Sequence, residues 1–404
     1  MALVELFRET GERRYRDLAA YFVEARGHGL VSGQEYHQDH VPFRDAATVT
    51  GHAVRQVYLT CGAADLVAET GDPGLRAALD RLWTNMTERR MYVTGGVGAR
   101  HEGEAFGKDW ELPNERAYAE TCAAIGSAMW NWRMLQLGGE ARYADVMELV
   151  LYNGMLPGLS LDAGSYFYVN PLADDGTHRR QPWFGCACCP PNVARTLAAI
   201  PGYLYGVSGE GLWIHLYAAG SARATLPDGR TVAVTQATDY PWNGAIRLTV
   251  AGEGEFSLFL RIPGWVHGTA AVRVRGMACA EGGRPGTYFE VRHHWRHGDV
   301  VELDLPMPAR LVAGDPRCES NRGCVALARG PLVYCFEGAD HPGTDIRDLV
   351  LPADTPFRPS YRPDVLGGAT VLTASAGPAA LVAIPYHLWA NRAPGPMAVW
   401  LPER

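Results

Sequence analysis

The apolar residues of this chain change their repeat near position 206, and that change confines the fold more than any other feature of its 404 residues. Up to that point they recur at helical spacing: Leu18, Tyr21, Phe22 and Ala25 form one stripe, and Val54, Val57, Tyr58 and Cys61 another. Further helical patterns cover 73–90, 114–137, 140–153 and 190–205, and the N-terminus reads as two amphipathic helices broken at Gly11. Beyond "GYLYGVSGEG" the texture becomes short alternating segments such as "LWIHLY", "RATLPDGRTVAVTQ", "EFSLFLRIPGW" and "DVVELDLP", bounded by Gly, Asp-Gly and Pro. The expectation is an α+β multidomain chain, helical over 1–206 and all-β over 207–404, most simply a sandwich. A chain of this length divides into at least two cores.

Charge narrows the possible partners. With 37 basic against 44 acidic residues the net charge is -7 and no Lys/Arg block stands out, so neither nucleic acid nor an anionic membrane is expected as a partner. No apolar run is long enough to span a bilayer, and the N-terminus lacks the features of a secretion signal. The nine cysteines are odd in number and irregularly spaced, which argues against a disulfide framework and for a reducing cytoplasm.

Three of those cysteines crowd into "FGCACCPPN", residues 184–192. Adjacent Cys188 and Cys189 are poorly disposed to pair with each other, but both can ligate one soft cation if the backbone turns sharply. Pro190 and Pro191 favour such a turn at the start of a helix, whose positive end lowers a thiol's pKa. Zinc needs two more ligands, and Glu120 and Cys122 in "AYAETCAAIG" are candidates, although positions i and i+2 lie on different sides of a regular helix. The alternative is that these thiols are buried, inert small hydrophobes. A second acidic group, "RHEGEAFGKDWELPNE", is either a solvated loop or part of a site. The preceding "TGGVGAR" is not a phosphate loop, for it lacks the lysine and hydroxyl pair. His37, His40 and His52, with glutamates and aromatics, would suit the hydroxyl groups of a sugar.

Taken in order, "YVTGGVGARHEGEAFGKDWELPNERAYAETCA", "GHAVRQVYL", "FYVNPL", "CACCPPNVARTLAAIPGYLYG", "RIPGW" and "ALARGPLVYCFE" resemble glycoside hydrolase family 127, the β-L-arabinofuranosidase or DUF1680 family. The resemblance implies an (α/α)6-type helical barrel followed by β-sandwich material. It implies a zinc ion held by Glu120, Cys122, Cys188 and Cys189, with Cys188 as nucleophile and Glu104 of "GEAF" as acid/base. It also implies substrate contacts from His52 and Tyr168; Cys186 is read as packing. Members are usually longer before the opening helix, so the barrel is expected to be N-terminally incomplete, completed by another copy or a companion chain, or else carried by a fragment. The expected activity is retaining hydrolysis of a small β-L-arabinofuranoside. The alternative is a catalytically impaired fragment or a zinc-containing carbohydrate-binding scaffold.

Overall fold

Helical hairpins built from the amphipathic repeats make up the first half of the computed structural model, which describes residues 1–353, 355–376 and 379–404. Among these residues there are seven α-helices: α1 (Ala2–Thr10), α2 (Arg13–Ala25), α3 (Ala53–Thr70), α4 (Pro73–Arg89), α5 (Thr121–Gly138), α6 (Ala141–Val150) and α7 (Cys189–Ala199). Helices α1 and α2, α3 and α4, and α5 and α6 pair in sequence order, and α3 packs on α5, which packs on α7. The start of α4 shows the local logic: Asp72 accepts the N–H groups of Gly74 and Leu75, and Pro73 needs no partner. Helices α3 and α5 approach closely at Gly126, where an added Cβ would lie 2.4 Å from Val57 Cγ2.

Two expectations need correction. The stripe Leu18, Tyr21 and Phe22 on α2 is exposed, and the helix buries Ala19 and Val23 instead. The helical pattern over 114–137 becomes helix only at Thr121. The preceding residues are drawn off by cross-chain hydrogen bonds: Ala119 donates to the Gly98 carbonyl at 2.7 Å, Thr121 to that of Tyr168 at 3.0 Å, and Ala119 takes φ 38. The tertiary partners override the repeat.

From residue 205 the described residues form strands, turns and a few single-turn 3-10 segments such as Glu319–Asn321. A six-stranded and a four-stranded sheet share one apolar core, with Leu212, Leu258 and Leu260 meeting Val234, Leu248 and Val301. Thr231–Thr238 buries alternate residues, as a strand with one wet face must. A nine-stranded sheet of the C-terminal part follows, and the short strand Ala173–Asp174 joins its edge by pairing with Met397–Ala398. The halves are also tied by Arg261, fully buried, which donates to Asp145 and Glu148 of α6 at 2.5 Å each. No described helix is long and apolar enough to cross a membrane.

Candidate active site

Two helix starts and one hairpin carry the candidate metal ligands and the candidate acid/base. Glu120 is the residue preceding α5, in extended conformation, and Cys122 is the second residue within the helix. The helical i, i+2 objection therefore lapses. Cys188 stands at the N-cap of α7, which begins with Cys189, Pro190 and Pro191. Because α5 and α7 pack together, the positive ends of both helices bear on one cluster of acidic groups.

The cluster is tight. Cys122 Sγ lies 3.4 Å from Cys189 Sγ, and Cys188 Sγ 3.8 Å from Cys189 Sγ. Glu120 Oε1 lies 3.6 Å from Cys188 Sγ and 3.8 Å from Cys189 Sγ, and all four ligand atoms fall within 4.8 Å of one another. A tetrahedral zinc ion with Zn–S bonds of about 2.3 Å spaces its sulfurs about 3.8 Å apart. Glu120 Oε2 is buried and has no hydrogen-bond partner among the described residues. Burial and the neighbouring Cys188 push the Glu120 carboxyl up to about 8. Hydrogen bonds from Cys122 and Cys189, with the Tyr168 hydroxyl, hold the Cys188 thiol well below its ordinary value, while Cys189 is pushed up by the same sulfur contacts and by burial. Three thiols and a carboxylate, all buried but the half-buried Cys188, together with an orphaned oxygen, fit a divalent metal ion.

Glu104 faces this cluster from the tip of a hairpin closed by pairing of Arg100 with Ala105. The turn is tight enough that Gly103 has φ 72, a Cβ there would sit 3.1 Å from the Tyr36 ring, and Glu104 itself takes φ 52. Such a left-handed conformation costs a non-glycine residue on the order of 1 kcal/mol. Ala105 also pairs with His52, which brings the His52 ring to Glu104, Nε2 to Oε2 at 3.0 Å. Burial lowers the proton affinity of His52 despite the carboxylate. The neutral ring donates from Nε2. Burial and a hydrogen bond to Glu104 push the Tyr118 hydroxyl up, so it too remains a donor. Tyr168 donates to Cys188 Sγ at 3.1 Å.

His52, Glu104, Glu120, Cys122, Tyr168 and Cys188 line one cavity of about 460 Å³, and Cys189 lies buried behind it. Cys186 is exposed and lines the same cavity, which corrects the packing role expected of it. His37 and His40 do not line it; His37 bonds to Ser32 Oγ instead. Sequence reasoning missed Arg55, Tyr58, Asn192 and Arg195. Tyr58 receives hydrogen bonds from Asn192 and Arg195 at 3.2 and 3.1 Å. Helical spacing held the clue: Arg55 follows His52 by one turn, and Asn192 and Arg195 follow Cys188 by one and two turns.

Comparison with known proteins gives three matches in chain order. Residues 1–202 match the family model described as β-L-arabinofuranosidase, GH127 catalytic domain; residues 211–307 its middle domain; and residues 309–402 the glycoside hydrolase family 127 C-terminal domain. The chain is 35% identical to a non-reducing end β-L-arabinofuranosidase of Bifidobacterium longum subsp. longum, over 99% of this chain and 70% of that protein. Among solved structures, a GH127 β-arabinofuranosidase superposes with a TM-score of 0.94 at 40% identity, covering 100% of this chain and 68% of its own. A GH127 β-L-arabinofuranosidase from Geobacillus stearothermophilus T6 superposes with a TM-score of 0.93 at 39% identity, covering 100% and 71%.

Proposed function

The chain belongs to glycoside hydrolase family 127, and on that premise we propose that it is a retaining glycosidase releasing L-arabinofuranose from β-L-arabinofuranosides, with Cys188 as nucleophile and Glu104 as acid/base. The observation that carries this reading is that Cys188 and Glu104 line the same sugar-sized cavity, the first held by Tyr168 and the second by His52. In the first step Glu104 gives its proton to the glycosidic oxygen while the Cys188 sulfur attacks the anomeric carbon, so the C–O bond breaks as a C–S bond forms. The leaving sugar departs as an alcohol. In the second step the Glu104 carboxylate takes a proton from water, the water oxygen displaces sulfur, and Cys188 is restored. Two inversions at one carbon give net retention.

A zinc ion held by Glu120, Cys122, Cys188 and Cys189, when bound, supplies thiol deprotonation and a fixed position for the sulfur. The helix ends at α5 and α7 stabilise the same negative charge. His52 orients the Glu104 carboxylate, and with Tyr168 it reaches the sugar hydroxyl groups. All nine cysteines are free, which suits a reducing compartment such as the cytoplasm.

The test is hydrolysis of p-nitrophenyl β-L-arabinofuranoside, with Cys188→Ala and Glu104→Ala beside the parent. Turnover by the parent, with loss of about 10³-fold or more in kcat for Cys188→Ala, is expected. No parent turnover across a panel of aryl furanosides would sink the reading.

A further inference from the structure

The motif "EYHQDHVP", residues 35–42, lends no group to the reaction cavity, yet it is fastened more firmly than a surface loop needs to be. Asp39 is buried, and its carboxylate accepts the backbone N–H groups of Gly27, Val31, Ser32 and Gly33 at 3.3, 2.7, 2.9 and 3.0 Å. Gln38 is buried too, in a left-handed conformation of φ 53 that costs a non-glycine residue on the order of 1 kcal/mol. What offsets that cost is its side-chain amide, which donates to the carbonyls of Thr50 at 2.8 Å and His52 at 3.3 Å. Gly51 permits the close approach, for an added Cβ there would lie 1.9 Å from the Glu35 carbonyl oxygen. The loop is thus tied on one side to 27–33 and on the other to the segment that carries His52.

These ties present Tyr36. Its carbonyl accepts the His52 backbone N–H at 3.3 Å, and its ring meets the His52 ring edge-on with centroids 5.8 Å apart. The same ring lies against Gly103, where an added Cβ would sit 3.1 Å from it. The Arg55 guanidinium covers the ring at 4.8 Å, and the His37 ring meets it edge-on, also at 4.8 Å. It is the ring, not the hydroxyl, that makes these contacts. Tyr36 therefore touches both residues that set the Glu104 carboxyl: His52, whose Nε2 lies 3.0 Å from Oε2, and Gly103, whose φ of 72 leads into the φ of 52 at Glu104. A glycine turn with nothing packed on it can relax into other conformations, and the Tyr36 ring takes that freedom away.

A general acid works only if its proton lies within about 3 Å of the oxygen it serves, and a displacement of about 1 Å can cost about a hundredfold in rate. We infer that Tyr36, fastened by Gln38 and Asp39, is a positioning residue for Glu104: it holds the His52 ring and the Gly103–Glu104 turn so that the carboxyl stays aimed at the glycosidic oxygen. This rests on the reading of Glu104 as acid/base. Tyr36 touches neither the sulfur cluster nor the sugar, so its removal should weaken proton donation to the leaving group and leave the nucleophile as it was.

The experiment measures kcat/KM, which reports the first covalent step, for the full chain on two β-L-arabinofuranosides. The 2,4-dinitrophenyl glycoside has a leaving group that departs without a proton; the 4-methoxyphenyl glycoside has one that needs it. Their ratio on a single sample does not depend on how much of the protein is folded. Tyr36→Ala is expected to lower the 4-methoxyphenyl value by about tenfold or more and the dinitrophenyl value by less than about threefold. Tyr36→Phe keeps the ring and should return the parental ratio. Equal loss on both substrates, loss on neither, or a Phe variant as impaired as the Ala variant overturns the inference. Glu104→Ala is the reference: if it shows the leaving-group dependence and Tyr36→Ala does not, the inference alone fails. If the parent hydrolyses neither glycoside, or Glu104→Ala shows no such dependence, the acid/base reading falls and takes the inference with it.

Discussion

At the scale of single residues, the Tyr168 hydroxyl is the group whose removal asks most of the site. It donates to Cys188 from outside the four candidate ligands, at 3.1 Å, and lines the same cavity. Tyr168→Phe is expected to lower kcat by about tenfold, the worth of one charge-assisted hydrogen bond, while metal content by elemental analysis stays at the parental level. An equal fall in metal content would assign Tyr168 to metal retention instead. The four ligand candidates were named through the family resemblance of "ETC" and "CACC", whereas their spacing alone left buried, inert thiols as an alternative. Their convergence was not legible in the sequence, since residues 120–122 and 188–189 meet only through the packing of α5 on α7. Cys186 was misjudged for a related reason: its neighbours in sequence are buried or half-buried ligands, but its own side chain points to solvent. Arg55 and Arg195 carry no such chemical signal, being ordinary exposed arginines until the helices are placed side by side.

Among elements, the junction of α6 with the first β region depends on Arg261. Its guanidinium also donates to the His215 carbonyl at 2.5 Å, while Tyr240 and Trp265 donate to Glu148, so the Glu148 carboxylate is satisfied by a strand residue and two loop residues of the first β region. Burial pushes the Asp145 carboxyl up, against the pull of Arg261. Arg261→Met leaves buried carboxylates without their cation and is expected to cost about 3–5 kcal/mol in urea unfolding. Adding Glu148→Gln and Asp145→Asn should return part of that loss; a triple variant as unstable as the single one would show that packing, not charge, makes the junction. The motif "RIPGW" gave no sign of this role, because the partners lie more than a hundred residues earlier. By contrast the change from helix to strand was plain from periodicity alone. The stretch 114–120 was misread because its conformation is set by hydrogen bonds to Gly98, Ala99 and neighbouring loops, which no local repeat encodes.

For the whole molecule, buried His215 and half-buried His387 contribute to the acid side of stability. Burial depresses His215 to about 3 and His387 to about 4. Below the ordinary histidine value near 6.5 the unfolded chain takes up protons that the folded chain refuses, so stability is full above that value and declines as the pH falls through the window down to about 3. At pH 5 the two together are expected to lower it by about 4 kcal/mol relative to pH 7.5, and His215→Phe/His387→Phe should flatten the dependence of urea midpoint on pH. The meeting of α5 with α7 has a consequence of another kind. Cys122 and Cys189 are 67 residues apart, and a bond through a shared ion would make them a cross-link. Closing a loop of that length restricts the unfolded chain by about 4 kcal/mol in the chain-entropy description. Stripping the ion with a chelator should therefore speed amide hydrogen exchange across 123–187 as well as at the ligands, and exchange confined to the ligands would limit the ion to chemistry. If the wider change is found, the ion that readies the sulfur for reaction also serves as a brace for the chain between the two helices.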